Sequence, residues 1–132
     1  MKAYGSGQIA WEIKTQVYVP SMLVYDQHLY AVTDGGIAVC WKCATGKEVW
    51  KKRLNGAFTA SPVLVGDHIY ATNEDGNTYI FKATPKEYEE IAQNQLGTEA
   101  LATPTICGSR IYMRVAATKD GKRQESLYCI GK

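Results

Sequence analysis

The chain of 132 residues has no stretch of eighteen apolar residues, so it holds no candidate membrane-spanning helix. Charge of one sign is also scarce. Lys and Arg number 15 against 13 Asp and Glu, a net +2, which argues for neither a nucleic-acid nor a membrane partner. The nearest thing to a basic run is Lys51-Lys52-Arg53, softened by Glu48, and reads as a solvated strand edge. No Gly-rich phosphate loop, Gly-x-Ser-x-Gly or His-Glu-x-x-His occurs, which removes the usual sequence grounds for nucleotide, serine-hydrolase or zinc-protease chemistry. The four cysteines are irregularly spaced and make no disulfide framework. The first twenty residues lack a basic segment followed by an apolar core, so no signal peptide is read in this chain.

What is present points to β-structure. Hydrophobic residues make up 45% of the chain, enough for a packed core in one domain or a piece of one. Nine Tyr and many Val, Ile and Thr lie between Gly-containing turns. The chain also repeats itself. Ser21–Ala31 aligns with Ser61–Ala71 without a gap at a spacing of 40, and Pro104–Tyr112 gives a third copy 42 residues on. Downstream, Val39-Cys40-Trp41-Lys42 sits over Tyr79-Ile80-Phe81-Lys82, and Leu127-Tyr128-Cys129-Ile130 follows an insertion of about seven residues. Turn signals cut each repeat into short strands. The expected strands are 17–24, 28–33, 37–43 and 47–54; then 58–65, 68–73, 77–83 and 88–96; then 101–106, 110–116 and 126–130.

A four-stranded antiparallel repeat of about 40 residues is the signature of a β-propeller blade. The expectation is therefore an all-β propeller of four-stranded antiparallel blades, about three of them in this chain. Residues 1–16 read as outer strands of a preceding blade, 17–56 as blade one, 57–98 as blade two, and 99–132 as blade three without its outer strand. Propellers close with about four to eight blades, so the ring is partial or completed by an oligomer. The segment around Trp11 is expected to pair, as a strand, with the third blade or with a partner copy.

These phrases resemble the pyrroloquinoline-quinone-like propeller repeats. The resemblance rests on Ile69-Tyr70-Ala71, Asp75-Gly76, Thr78-Tyr79-Ile80-Phe81 and Thr45-Gly46-Lys47-Glu48-Val49-Trp50, with a second Gly-to-Trp phrase running from Gly7 to Trp11. In that family the phrase is a tryptophan-docking motif, which implies that Gly7, Trp11, Gly46 and Trp50 lock neighbouring blades. Repeat two lacks the Trp, and Glu90 stands at the aligned position, so docking there is expected through Tyr88, Ile91 or Leu96. The family covers quinone-dependent dehydrogenases, an outer-membrane assembly scaffold and sensor domains of bacterial receptor kinases, and fold alone does not choose among them.

Candidate chemistry is thin. Cys40 and Cys43 form a Cys-x-x-Cys, but residues three apart on a strand point to opposite faces, so they read as structural thiols. Cys107 and Cys129 are not expected to pair. His28 and His68 are repeat equivalents and read as structural. Asp34, Glu74 and Asp75 in the second-to-third-strand turns, with Asn55 in the blade connection, are where a ligand-facing loop is sought. No residue is assigned as catalytic, cofactor-binding or metal-binding. No cofactor is expected; pyrroloquinoline quinone with calcium enters only if the chain is part of a dehydrogenase. The resemblance implies a non-catalytic scaffold or binding module, the C-terminal part of a larger bacterial propeller in the periplasm, the cell envelope or the secreted fraction. Its partners would be proteins or further blades, in cis or by oligomerisation.

Overall fold

The computed structural model describes residues 7–131; the part of the outer-strand expectation that covers residues 1–6, and residue 132 of the expected third blade, fall outside them. Among the described residues eleven strands form three antiparallel sheets. The first sheet runs β1 (Leu23–Tyr25), β2 (His28–Val32), β3 (Ile37–Lys42), β4 (Glu48–Arg53) in that spatial order. The second repeats it with β5 (Val63–Val65), β6 (His68–Thr72), β7 (Asn77–Lys82) and β8 (Glu90–Gln95). The third holds β9 (Thr105–Cys107), β10 (Arg110–Lys119) and β11 (Lys122–Ile130). The result is a partial propeller. The first two sheets agree down to one irregularity: a register shift at Cys40/Trp41 against β4 recurs at Ile80/Phe81 against β8.

Sequential antiparallel pairing follows from the turns. Gly66 and Gly108 open the β5–β6 and β9–β10 turns at φ +60 and +58, where glycine carries no Cβ penalty. The equivalent β1–β2 turn uses Asp26 and Gln27, both at positive φ. A left-handed conformation costs a non-glycine residue about 1–2 kcal/mol. Gln27→Gly is therefore expected to raise stability by about 0.5–1 kcal/mol after the added unfolded-state entropy. Urea denaturation reads this directly; a loss of stability would contradict it.

The seven-residue insertion of the third repeat is not a loop. It lengthens both strands of the β10–β11 hairpin, which pairs from Ile111↔Ile130 out to Lys119↔Lys122 around Asp120-Gly121. Both turn residues have positive φ, the two-residue turn that matches strand twist. Along β11, two residues apart on one face, Arg123 Nη1 lies 2.8 Å from a Glu125 oxygen. Glu125 also pairs with Arg114, and Arg123 with Glu99.

Inner strands are buried on both faces, so they lack clean alternation. On β2, Tyr30 and Val32 join the core between the first and second sheets, while Ala31 packs on the other side with Val39 and Trp41. The main core also takes Phe58, Ile69, Tyr79 and Phe81. Met113, Val115 and Ala100 form a smaller cluster with Leu96 and Ile111.

Two expectations are corrected here. Residues 8–13 are not a strand, and they pair with neither the third sheet nor any other. Among the described residues no neighbouring strand offers them a hydrogen-bond ladder, so side chains hold them instead. Ile13 and Val17 cover the outer face of the first sheet against Ala31, Val39 and Trp41. The first strand begins at Leu23 rather than residue 17, because residues 18 and 19 spend their amides on a side chain.

Candidate functional site

The candidate loops gather at one end of the sheets. Thr33 Oγ1 accepts from the Ile37 amide at 3.0 Å, and its repeat equivalent Asn73 accepts, through Oδ1, from the Asn77 amide at 2.8 Å. These bonds close the β2–β3 and β6–β7 turns. The connections between sheets then thread past them in a repeated ladder. The Leu54 amide donates to Gly36 O at 2.7 Å and the Leu96 amide to Gly76 O at 3.0 Å. The Phe58 amide donates to Asp34 O and the Ala100 amide to Glu74 O, both at 2.9 Å. The approach is close enough to require glycine. A Cβ on Gly76, at φ +82, would lie 2.4 Å from Leu96 O.

Asp34 and Glu74 bracket residues 57–58, since the Glu74 amide donates to Ala57 O. Their carboxylates turn towards the chain that enters the first strand of their own sheet. Asp34 Oδ2 accepts from the Tyr18 amide at 2.7 Å and Oδ1 from the Val19 amide at 3.1 Å. The Thr59 hydroxyl donates to Glu74 Oε1. Asn55 donates its amide to Tyr79 Oη at 3.2 Å, and its carbonyl accepts from Asn73 Nδ2 at 2.9 Å. Asp75 is exposed, and its carbonyl accepts from Gln95 Nε2 at 2.6 Å. The end thus presents backbone-engaged acids and one outward carboxylate. Among the described residues no group of three or more His, Cys, Asp or Glu is placed to hold a metal ion.

The backbone bond from Tyr18, and then that from Val19, holds the Asp34 carboxyl below its ordinary 3.8. A depressed acid contributes stability that is present above the unfolded value and lost as pH falls through the folded one. Amide exchange at Tyr18 and Val19 is therefore expected to accelerate, relative to the sheets, once pH drops below about 3.8. Asp34→Ala should produce the same local loss at neutral pH. Unchanged protection in the variant would sink this reading.

Both tryptophans of the two phrases make contacts beyond their own segments. The Trp11 indole N–H donates to Cys43 O at 2.7 Å. Its ring lies over Gly46, at φ +69, where a Cβ would approach to 2.7 Å. Trp50 donates to Thr84 O at 2.8 Å. Its ring sits 6.1 Å from Tyr30, 6.3 Å from Phe81 and 5.8 Å from Tyr88, edge-on to the last two. Gly7 is also at positive φ, +74, but nothing lies within 4 Å of a Cβ there.

The register relocates the missing tryptophan. Trp50 pairs with Cys40 and Ala92 with Ile80, while Glu48 and Glu90 stand at the matching positions beside the bulge. Ala92, not Glu90, is the counterpart of Trp50. Two extra residues between β7 and β8 shift the alignment by that amount. Of the three residues expected to dock there, Leu96 packs with the third-sheet cluster. Tyr88 packs instead against Phe81 and Trp50, and Ile91 is exposed.

All four cysteines are free thiols. Cys40 is buried and burial pushes its thiol up to about 11, which leaves it a poor nucleophile. Cys43 is half-buried beyond the end of β3. His28 Nδ1 lies 2.7 Å from Asp26 O, and His68 Nδ1 lies 2.8 Å from Asp67 Oδ1, so both histidines close contacts within their own turns. Asn73 was not singled out by composition, although its place, aligned with Thr33 one residue before the acidic turn residue, was the available signal.

Comparison with solved structures establishes the same fold. BamB from Moraxella catarrhalis is 18% identical with a TM-score of 0.59, over 71% of this chain and 28% of that one. The computationally designed Ika8 protein is 14% identical at 0.57, over 79% of this chain and 31% of that one. Quinohemoprotein alcohol dehydrogenase from Comamonas testosteroni is 14% identical at 0.61, over 76% of this chain and 17% of that one. The chain thus spans less than a third of each. No curated protein matches the sequence. The model of the family described as outer membrane protein assembly factor BamB matches residues 2–87, more than half of the chain, and the chain belongs to that family.

Proposed function

We propose that the chain is a non-catalytic binding module, part of a larger bacterial propeller of the envelope, periplasm or secreted fraction, that takes a protein strand or a further blade on the third sheet. The observation that supports this is the outer edge of β11, which pairs only with β10 among the described residues. The other outer edges are blunted. β4 carries exposed Glu48, Lys51, Lys52 and Arg53, and β8 is mostly Glu, Gln and Asn. β11 opens with exposed Lys122, Arg123, Gln124 and Glu125, but its C-terminal half exposes Leu127, Tyr128 and Ile130 at 74%, 41% and 40%. By repeat equivalence it is a third strand, the counterpart of inner β3 and β7. An added strand would gain main-chain hydrogen bonds, with these side chains giving specificity. The family's description as an outer membrane protein assembly factor fits a protein partner and an envelope location. Blade docking through Trp11 on Gly46, and through Trp50, would hold the module together.

The test is capture of envelope proteins by the wild-type chain and by a Leu127→Lys/Ile130→Lys variant. Retention that the edge charges abolish supports the reading; equal retention contradicts it. Pyrroloquinoline quinone with Ca²⁺ is expected to leave no bound chromophore, and a bound chromophore with dye-linked alcohol oxidation would replace this reading with a dehydrogenase.

A further inference from the structure

We infer that the seam between the second and third sheets is a binding site for a small planar aromatic molecule of about indole size. A cavity of about 300 Å³ lies there, lined by Tyr70, Ile80, Leu96, Pro104, Ile111 and Met113, with Thr78, Asn94, Gln95 and Ile130 completing it. That volume is at the lower end of ligand pockets. The walls are predominantly apolar, and exposed Asn94 supplies the polar atoms that could orient a ring N–H or hydroxyl.

The repeat says what shape the cavity suits. In the seam between the first and second sheets, the corresponding space takes the indole of Trp50, with Tyr30 and Phe81 around it. The pairing registers make Tyr70 the counterpart of Tyr30, and Ile130 the counterpart of Phe81. Both line the cavity. On the same face of the second sheet, β8 places Ala92 where β4 places Trp50. One seam is thus closed by an indole from its own chain. The other keeps two matching walls, while the β8 position opposite Ile80 carries only the Ala92 methyl group, which does not reach the cavity lining. A flat aromatic molecule can fill an apolar space that no side chain of the chain fills. A ring bound there would bridge Ile80 on one sheet and Ile111 and Met113 on the other.

The probe is indole, titrated calorimetrically into the 132-residue chain. Saturable one-to-one binding is expected, with an upward shift in melting temperature. Ala92→Trp should weaken binding at least tenfold and itself raise the melting temperature. Met113→Phe narrows the cavity from the opposite wall and should weaken binding several-fold, which keeps the test decisive if Ala92→Trp does not fold. Cyclohexanol, similar in bulk but not flat, should bind at least tenfold more weakly. Absence of saturable indole binding at millimolar concentration overturns the inference, as does equal binding to the narrowed variants. Cyclohexanol binding as tightly as indole would also overturn it, leaving only a generic apolar cavity.

Discussion

Trp50→Ala is expected to destabilise the chain by about 3 kcal/mol, the low end for removing a large aromatic from a core because the residue is half-buried. Its ring meets Tyr30 on its own sheet and Phe81 and Tyr88 on the next. Truncation leaves those three rings without their shared partner and the Thr84 carbonyl without its donor. The effect should therefore fall on the association of sheets rather than on either sheet alone. Trp50→Phe, which keeps a ring and loses the N–H, should cost about half as much. Urea unfolding followed by circular dichroism measures both. A loss below about 1 kcal/mol for the alanine variant would show that the seam is held elsewhere.

Gly76→Ala is the second large effect, about 3 kcal/mol or more. Two terms add. The residue sits at φ +82, where a side chain costs about 1–2 kcal/mol. Its Cβ would also stand 2.4 Å from Leu96 O, a backbone atom that cannot rotate away. Relief requires the connection to the third sheet to move, which strains the Leu96 and Ala100 amide bonds to the turn. Gly66→Ala is the control. Its φ is +60 but nothing lies within 4 Å of its Cβ, so only the first term applies. Equal losses in the two variants would show that the close approach carries no weight.

Much of the fold was readable because turns and repeats announce themselves locally. Gly-containing turns 40 residues apart place β2, β3, β6 and β7 within a residue of their expected ends. What could not be read was anything decided by register or by the presence of a neighbour. The Gln8–Ile13 stretch has strand composition, yet no adjacent strand pairs with it here. Glu90 aligned with Trp50 by counting, but two residues added before β8 move Ala92 into its place. The insertion before Leu127 carried no sign that it would extend a hairpin rather than loop out. At the candidate site, acidic residues in turns marked loops that the structure gathers at one end of the sheets. That the Asp34 and Glu74 oxygens are taken by residues 18, 19 and 59 depends on the path of the chain entering each sheet.

The proposed strand addition rests on the edge of β11, and the most direct measurement of it is solution mass as a function of concentration. An exposed apolar strand edge is a template for pairing with another chain. Light scattering of the 132-residue chain should show mass rising above the monomer's 14.6 kDa with concentration, and Leu127→Lys/Ile130→Lys should return it to a monomer. A wild-type chain that stays monomeric throughout and unfolds in one sharp transition would contradict the account.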